Sequence, residues 1–184
     1  MTTETHARKD TPIGSIMTED PLTVSHALKL SDAQDRMYAN NVRHLVVTGE
    51  DGSLVGILST RDAGLAASVG QPDALTVGEA MVRNPYACAR DTPLLAVAEE
   101  MEAHRYGAVV VTDGAKPVGI FTTTDAMHAL RESLVGEPLK PLVEAQHVLA
   151  EGERDKVEHH VRASDRLKSR GGAPSASTGR LGRF

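Results

Sequence analysis

The sequence predicts an α+β fold built twice, as two tandem β-α-β-β-α repeats packed on each other with pseudo-two-fold symmetry and followed by a helical and flexible C-terminal tail. Three observations predict it. The chain matches itself in register over a whole folding unit. Each copy carries a β-branched apolar run, an Asp-Gly turn and a second apolar run, the signature of a hairpin. Each unit, of about 55–60 residues and poor in large side chains, buries too little surface to stand alone, so the two must pack sheet against sheet.

The repeat is the firmest of the three. At an offset of 64, Ile13-Gly14-Ser15-Ile16-Met17 lies over Val77-Gly78-Glu79-Ala80-Met81. Pro21 falls on Pro85, Leu30 on Leu94, Met37 on Met101, and Val46-Val47-Thr48 on Val110-Val111-Thr112. After one deleted residue the offset becomes 63, and Val55 to Asp62 lies over Val118 to Asp125. Chance matches scatter along a chain, whereas these keep register and take their one gap in a turn.

The elements follow in order. A short helical segment ends at Met17 or Met81, and a brief extended segment follows Pro21 or Pro85. A helix comes next. Thr92-Pro93 reads as its N-cap and first helical position in copy two. In copy one Ser31-Asp32-Ala33-Gln34 is a candidate capping box that starts the helix later. Ala33 and Met37, and Val97 and Met101, stand four apart on one helical face. Leu45-Val46-Val47 and Val109-Val110-Val111 are β-branched buried strands. Turns at Glu50 to Ser53 and Asp113 to Lys116 lead into return strands at Leu54 to Leu58 and Val118 to Phe121. A last helix begins near Asp62 or Asp125. The expected organisation is a flexible segment over 1–12, repeats over 13–70 and 71–135, a linker and charged helix over 136–170, and a flexible basic tail over 171–184.

Composition limits the function. Hydrophobic residues make up 40% of the chain and aromatics 3%, so the core must be aliphatic. A net charge of −5 argues against a nucleic-acid binder. Cys88 is the only cysteine, which excludes an internal disulfide and fits a reducing compartment. No apolar run approaches the roughly 18 residues a membrane span needs, and the first residues lack the apolar stretch of a signal peptide. The expectation is a cytoplasmic protein. Catalysis finds no footing. Cys88 lies in an apolar strand, and no nucleophile-elbow or phosphate-loop motif occurs. The adjacent His159 and His160 diverge on a helix, so no metal site is expected.

The segments Gly56-Ile57-Leu58-Ser59-Thr60-Arg61-Asp62 and Gly119-Ile120-Phe121-Thr122-Thr123-Thr124-Asp125, the Met-X-X-X-Pro openings and the Val-Val strands together resemble the CBS-domain family, in the form of a stand-alone pair (a Bateman module). The resemblance covers roughly two thirds of the chain. It implies a regulatory sensor and not an enzyme, with no catalytic cofactor. The implied regulatory ligand is an adenine nucleotide (AMP, ADP or ATP) or S-adenosylmethionine. It also implies a homodimer formed face to face through the helices beside Asp62 and Asp125.

Physically, the Ser/Thr-to-Asp stretch begins a helix. A helix N-terminus offers unpaired N–H groups to an anion, and an Asp there can accept from the two hydroxyls of a ribose. The same residues serve equally well as plain helix caps. By resemblance each cleft is composite. Cleft one joins Ile57, Ser59, Arg61 and Asp62 with Tyr86, Arg105 and Tyr106. Cleft two joins Ile120, Thr122, Thr124 and Asp125 with Thr23, Val42, Arg43 and His44. Arg43 and His44 stand where AMP- and ATP-binding members hold phosphate, so cleft two is expected to carry it. Adenine is expected among backbone and aliphatic groups, without an aromatic platform.

The tail departs in composition. Gly136 to Pro141 is rich in helix breakers. From Leu142 to about Leu167 a thin apolar stripe (Leu142, Leu149, Val157, Val161) runs through charged residues. The final nineteen residues carry Arg166, Lys168, Arg170, Arg180 and Arg183 and no acid. This permits a different reading, in which the repeats form a ligand-independent dimerising scaffold and the tail docks on a protein partner or assembly.

Overall fold

The computed structural model describes residues 9–71 and 73–142. The expected N-terminal segment up to residue 8, the charged helix beyond Leu142 and the basic tail lie outside the described residues.

Each repeat opens with a tight turn of helix, a 3₁₀ turn at Ile13–Ser15 in the first and α3 at Val77–Ala80 in the second. Repeat one continues with β1 (Thr18–Glu19), β2 (Thr23–Ser25), α1 (Leu30–Ala39), β3 (His44–Thr48), β4 (Leu54–Ser59) and α2 (Thr60–Val69). Repeat two continues with β5 (Val82–Arg83), β6 (Ala87–Ala89), α4 (Leu94–His104), β7 (Ala108–Asp113), β8 (Lys116–Thr122) and α5 (Thr123–Val135). The expected β-α-β-β-α order is therefore present twice, with one extra short strand leading each copy.

Those leading strands change hands. The two sheets run β2-β3-β4-β5 and β1-β8-β7-β6. β1 of repeat one pairs antiparallel with β8 of repeat two (Thr18 opposite Ile120), and β5 pairs with β4 (Ile57 opposite Val82). The lead-in turns are pinned the same way. Ile13 N donates to Thr92 O and Gly14 N to Arg90 O, both at 2.9 Å, while Val77 N and Gly78 N donate to Leu28 O and His26 O, both at 2.8 Å.

This exchange corrects the expected helix caps. α4 starts at Leu94 with Pro93 as its N-cap, and α1 starts at Leu30 with Lys29 as its N-cap; neither has a side-chain cap. Thr92 is one residue too early, and Ser31 lies inside the helix. The orphan N–H groups are met instead by backbone from the exchanged segments: Leu30 N donates to Leu75 O at 2.9 Å and Leu94 N to Thr11 O at 2.8 Å.

The core has three parts. Each helix layer covers its own sheet, with Ala33 and Met37 buried in one and Val97 and Met101 in the other, as their spacing predicts. Cys88 belongs to the second of these. Between the sheets Val46, Val110 and Ile120 meet, flanked by Leu54, Ile57 and Ala108. Successive strand residues face opposite sides, so Val47 faces its own helices and Val46 faces the other repeat. Both faces of β3 and β7 are thus dry, which accounts for their unbroken apolar runs.

The breaker-rich segment after α5 does not leave the body at once. Gly136 closes the helix in the left-handed region at φ 78°. Leu139 then packs on the repeat-two core, and Lys140 N donates to Oε2 of the buried Glu132 at 2.8 Å. The other Glu132 oxygen faces His128 Nε2 at 3.2 Å.

Candidate functional site

The Ser/Thr-to-Asp segments sit where β4 runs into α2 and β8 into α5. Both form the reciprocal capping box that local chemistry demands. Asp62 Oδ2 accepts from Ser59 Oγ at 2.5 Å, and Ser59 Oγ accepts from Asp62 N at 3.1 Å. Asp125 Oδ2 accepts from Thr122 N and Thr122 Oγ1, both at 2.7 Å. Capping uses one oxygen of each carboxylate. Asp125 is 4% exposed, and its Oδ1 is buried without a hydrogen-bond partner. An acceptor so placed costs about 1–3 kcal/mol until a donor reaches it. Asp62 is only half-buried.

The motif glycines serve a purpose the sequence did not disclose. A Cβ on Gly56 would run into the sulfur of Met81, and one on Gly119 into the sulfur of Met17. The Met of each opening therefore lies across the Gly of the other repeat. Gly at these positions makes room for the exchanged segment.

Repeat one meets the repeat-two motif through Arg43. Its Nη2 donates to Thr124 Oγ1 at 2.5 Å, joining two expected members of cleft two. Its carbonyl accepts from Thr60 N, at the head of α2, at 2.9 Å. The counterpart carbonyl, Gly107, accepts from Thr123 N at 3.1 Å but carries no side chain to cross over. His44 turns the other way. It lies opposite Ser59 in the β3–β4 pairing, and a Cβ on Gly107 would stand 3.2 Å from its Nε2. Burial and the adjacent Arg43 push its pKa below the ordinary histidine value, and Asp62 partly restores it. His44 thus stands beside the repeat-one motif, whereas resemblance had grouped it with cleft two. Thr23 is exposed on β2 opposite Val46, and Val42 packs on the repeat-one core. Ile57 and Ile120 line the layer between the sheets, and Arg61 is exposed.

The cleft-one partners bring a correction. The chain does hold an aromatic surface: Tyr106 stacks on Tyr86 at 5.8 Å and on His104 at 5.2 Å, with interplanar angles of 11° and 10°. Two tyrosines twenty residues apart gave no periodic signal; only the parallel pairing of β6 with β7 brings their neighbourhoods together. Burial holds the Tyr86 phenol above its ordinary pKa. Among the described residues no hydrogen bond or ion pair joins Tyr86, Arg105 or Tyr106 to the Ser59–Asp62 segment. Arg105 ends α4 in the left-handed region at φ 57°, where its counterpart Asn41 has φ 50°. Asn adopts that conformation at less cost than Arg.

The family model for the CBS domain matches residues 13–63 and 77–132. The chain belongs to the CBS-domain family. Its fold is that of a CBS pair, with TM-score 0.61 and 29% identity to the CBS domain pair of protein MJ0100, solved in complex with 5′-methylthioadenosine and S-adenosyl-L-methionine; 67% of this chain and 98% of that one are covered. An uncharacterized conserved protein from Pyrococcus horikoshii gives TM-score 0.62 at 31% identity over 67% of this chain and 94% of that one. An L-aspartate semialdehyde sulfurtransferase from Methanocaldococcus jannaschii is 30% identical over 62% of this chain, which spans 22% of that relative's length. No helix among the described residues is long and apolar enough to cross a membrane.

Proposed function

We propose that this CBS pair is a regulatory module, without catalytic activity of its own, that binds an adenosyl ligand between its repeats and signals occupancy to a protein partner in the cytoplasm. The observation that carries the reading is the orphaned Oδ1 of buried Asp125, at the head of α5 and beside an arginine from the other repeat. A ribose diol supplies the donors that oxygen lacks. A phosphate beside Arg43 would meet a guanidinium and the N-terminal N–H groups of α5. AMP, ADP or ATP satisfies both features and S-adenosylmethionine the first; the adenosyl ligands of the MJ0100 pair support the class.

The signal is a population shift. A ligand touching both repeats favours one mutual orientation, and the partner reads it. A homodimer supports that transmission. The two motif helices expose Leu65 and Val69 on α2, and Met127, Leu130 and Leu134 on α5, at helical spacings that make continuous stripes. A second copy covers these stripes; Leu134→Glu leaves a monomer by analytical ultracentrifugation if so, and an unchanged mass argues against this face.

Isothermal titration with AMP, ADP, ATP and S-adenosylmethionine tests the function. Micromolar binding lost in Asp125→Ala supports it. Silence with all four, from protein shown free of carried-over ligand, favours the scaffold reading instead.

A further inference from the structure

Arg43 and His44 are neighbours on one strand, yet they address different motifs. The Arg43 carbonyl holds the first N–H of α2, and its guanidinium holds Thr124 at the head of α5. His44 stands across from Ser59, with its ring in the space that a side chain at Gly107 would need. The second repeat has no such pair, because Gly107 and Ala108 occupy the matching positions. One dipeptide therefore touches both clefts, and the matching positions of the second repeat do not.

We propose that Arg43-His44 couples the two clefts by a proton, so that a phosphate-bearing ligand held by Arg43 in cleft two drives proton uptake by His44 beside Asp62 in cleft one. This rests on the reading that cleft two takes an adenosyl phosphate. The charges that face His44 are Arg43 on its own strand and Asp62 on α2; Ser59 opposite and Gly107 from the other repeat bring none. In the free protein burial and Arg43 disfavour the charged ring, and Asp62 partly offsets them. A phosphate neutralises the guanidinium next to the ring, and the loss of that neighbouring positive charge favours imidazolium. The new cation is drawn to Asp62, so occupancy of cleft two alters the electrostatics of cleft one. By linkage the converse holds: protons tighten phosphate binding, and a ligand in cleft one changes the affinity of cleft two.

The test is titration of the full chain with AMP, with adenosine as the phosphate-free control, in buffers of differing ionisation enthalpy at one near-neutral pH. The buffer dependence of the heat counts the protons exchanged. The phosphate's own second ionisation, near about pH 6, contributes to that count, and His44→Gln separates the two. The expected result is proton uptake with AMP that shrinks in His44→Gln and is absent with adenosine. A rise of one unit in the His44 pKa corresponds to about a tenfold gain in AMP affinity as pH falls across the window. The His44 ring resonance, followed through a pH titration of the wild-type chain with and without AMP, is an independent readout; its pKa should rise with AMP. AMP binding with an unmoved ring, or with equal proton exchange in His44→Gln, overturns the coupling and leaves the sensor reading standing. Binding of adenosine or S-adenosylmethionine without AMP does the same. Failure of all of them to bind overturns both.

Discussion

The two repeats share a backbone and differ in chemistry. Non-glycine residues with positive φ recur at matching positions, Asp20 with Asn84 and Asn41 with Arg105. The capping boxes, the crossed methionines and the exchanged strands also recur. The differences are confined to a few side chains. Asp125 is buried with one oxygen unmet while Asp62 is half-buried, and Arg43 spans to the other repeat where Gly107 cannot. The repeats share what the fold needs and differ in their clefts, and the capping box leaves room for that because it uses only one carboxylate oxygen.

The sharpest break in that comparison comes at the two aspartates. Asp125→Ala should abolish adenosyl binding in titration calorimetry, and Asp62→Ala should leave the cleft-two component measurable. Since Ala also removes a cap worth about 1 kcal/mol, Asp125→Asn serves as the folded control and should bind weakly as well. Next in size, Arg43→Gln should weaken AMP by about 1.5–3 kcal/mol, the worth of a hydrogen bond to a charged group, and leave adenosine nearly untouched. Gly56→Ala and Gly119→Ala should each cost about 1–3 kcal/mol of stability in denaturant melts, as overpacking against Met81 and Met17. Equal costs would show the exchange to be symmetric, and relief by a second change, Met17→Ala with Gly119→Ala, would show the clash to be the cause.

Smaller still, Arg105→Asn should stabilise by up to about 1 kcal/mol by relieving left-handed backbone strain, while Asn41→Gly should change little. The smallest effect concerns pH. The His44 pKa is lower in the folded state than its unfolded value of 6.5. The unfolded chain therefore binds the proton more tightly, and stability falls as pH drops from about 6.5 toward the folded value, levelling below it. His44→Gln should flatten that slope in thermal melts between pH 7 and 5.

Local chemistry made much of this legible. Ser59 with Asp62 and Thr122 with Asp125 read as caps at three-residue spacing, and they are caps. Val46-Val47 and Val110-Val111 read as buried strands, and both faces are buried. Where the reading failed, the partner lay far along the chain. Thr92 and Ser31 were expected to cap helices because nothing near them showed that Thr11 and Leu75 would. Tyr86 and Tyr106 gave no hint of a stack in a chain so poor in aromatics.

The sequence by itself determined the duplication, the order of elements and the faces of strands and helices, because each is a periodicity or a short-range hydrogen bond written within a few residues. Only the tertiary structure decided which repeat's Met crosses which Gly, that Arg43 and His44 part toward different motifs, and that Asp125 is buried while Asp62 is half-buried. Those outcomes depend on where a segment returns after some sixty residues of chain, and that is settled by packing the two sheets together.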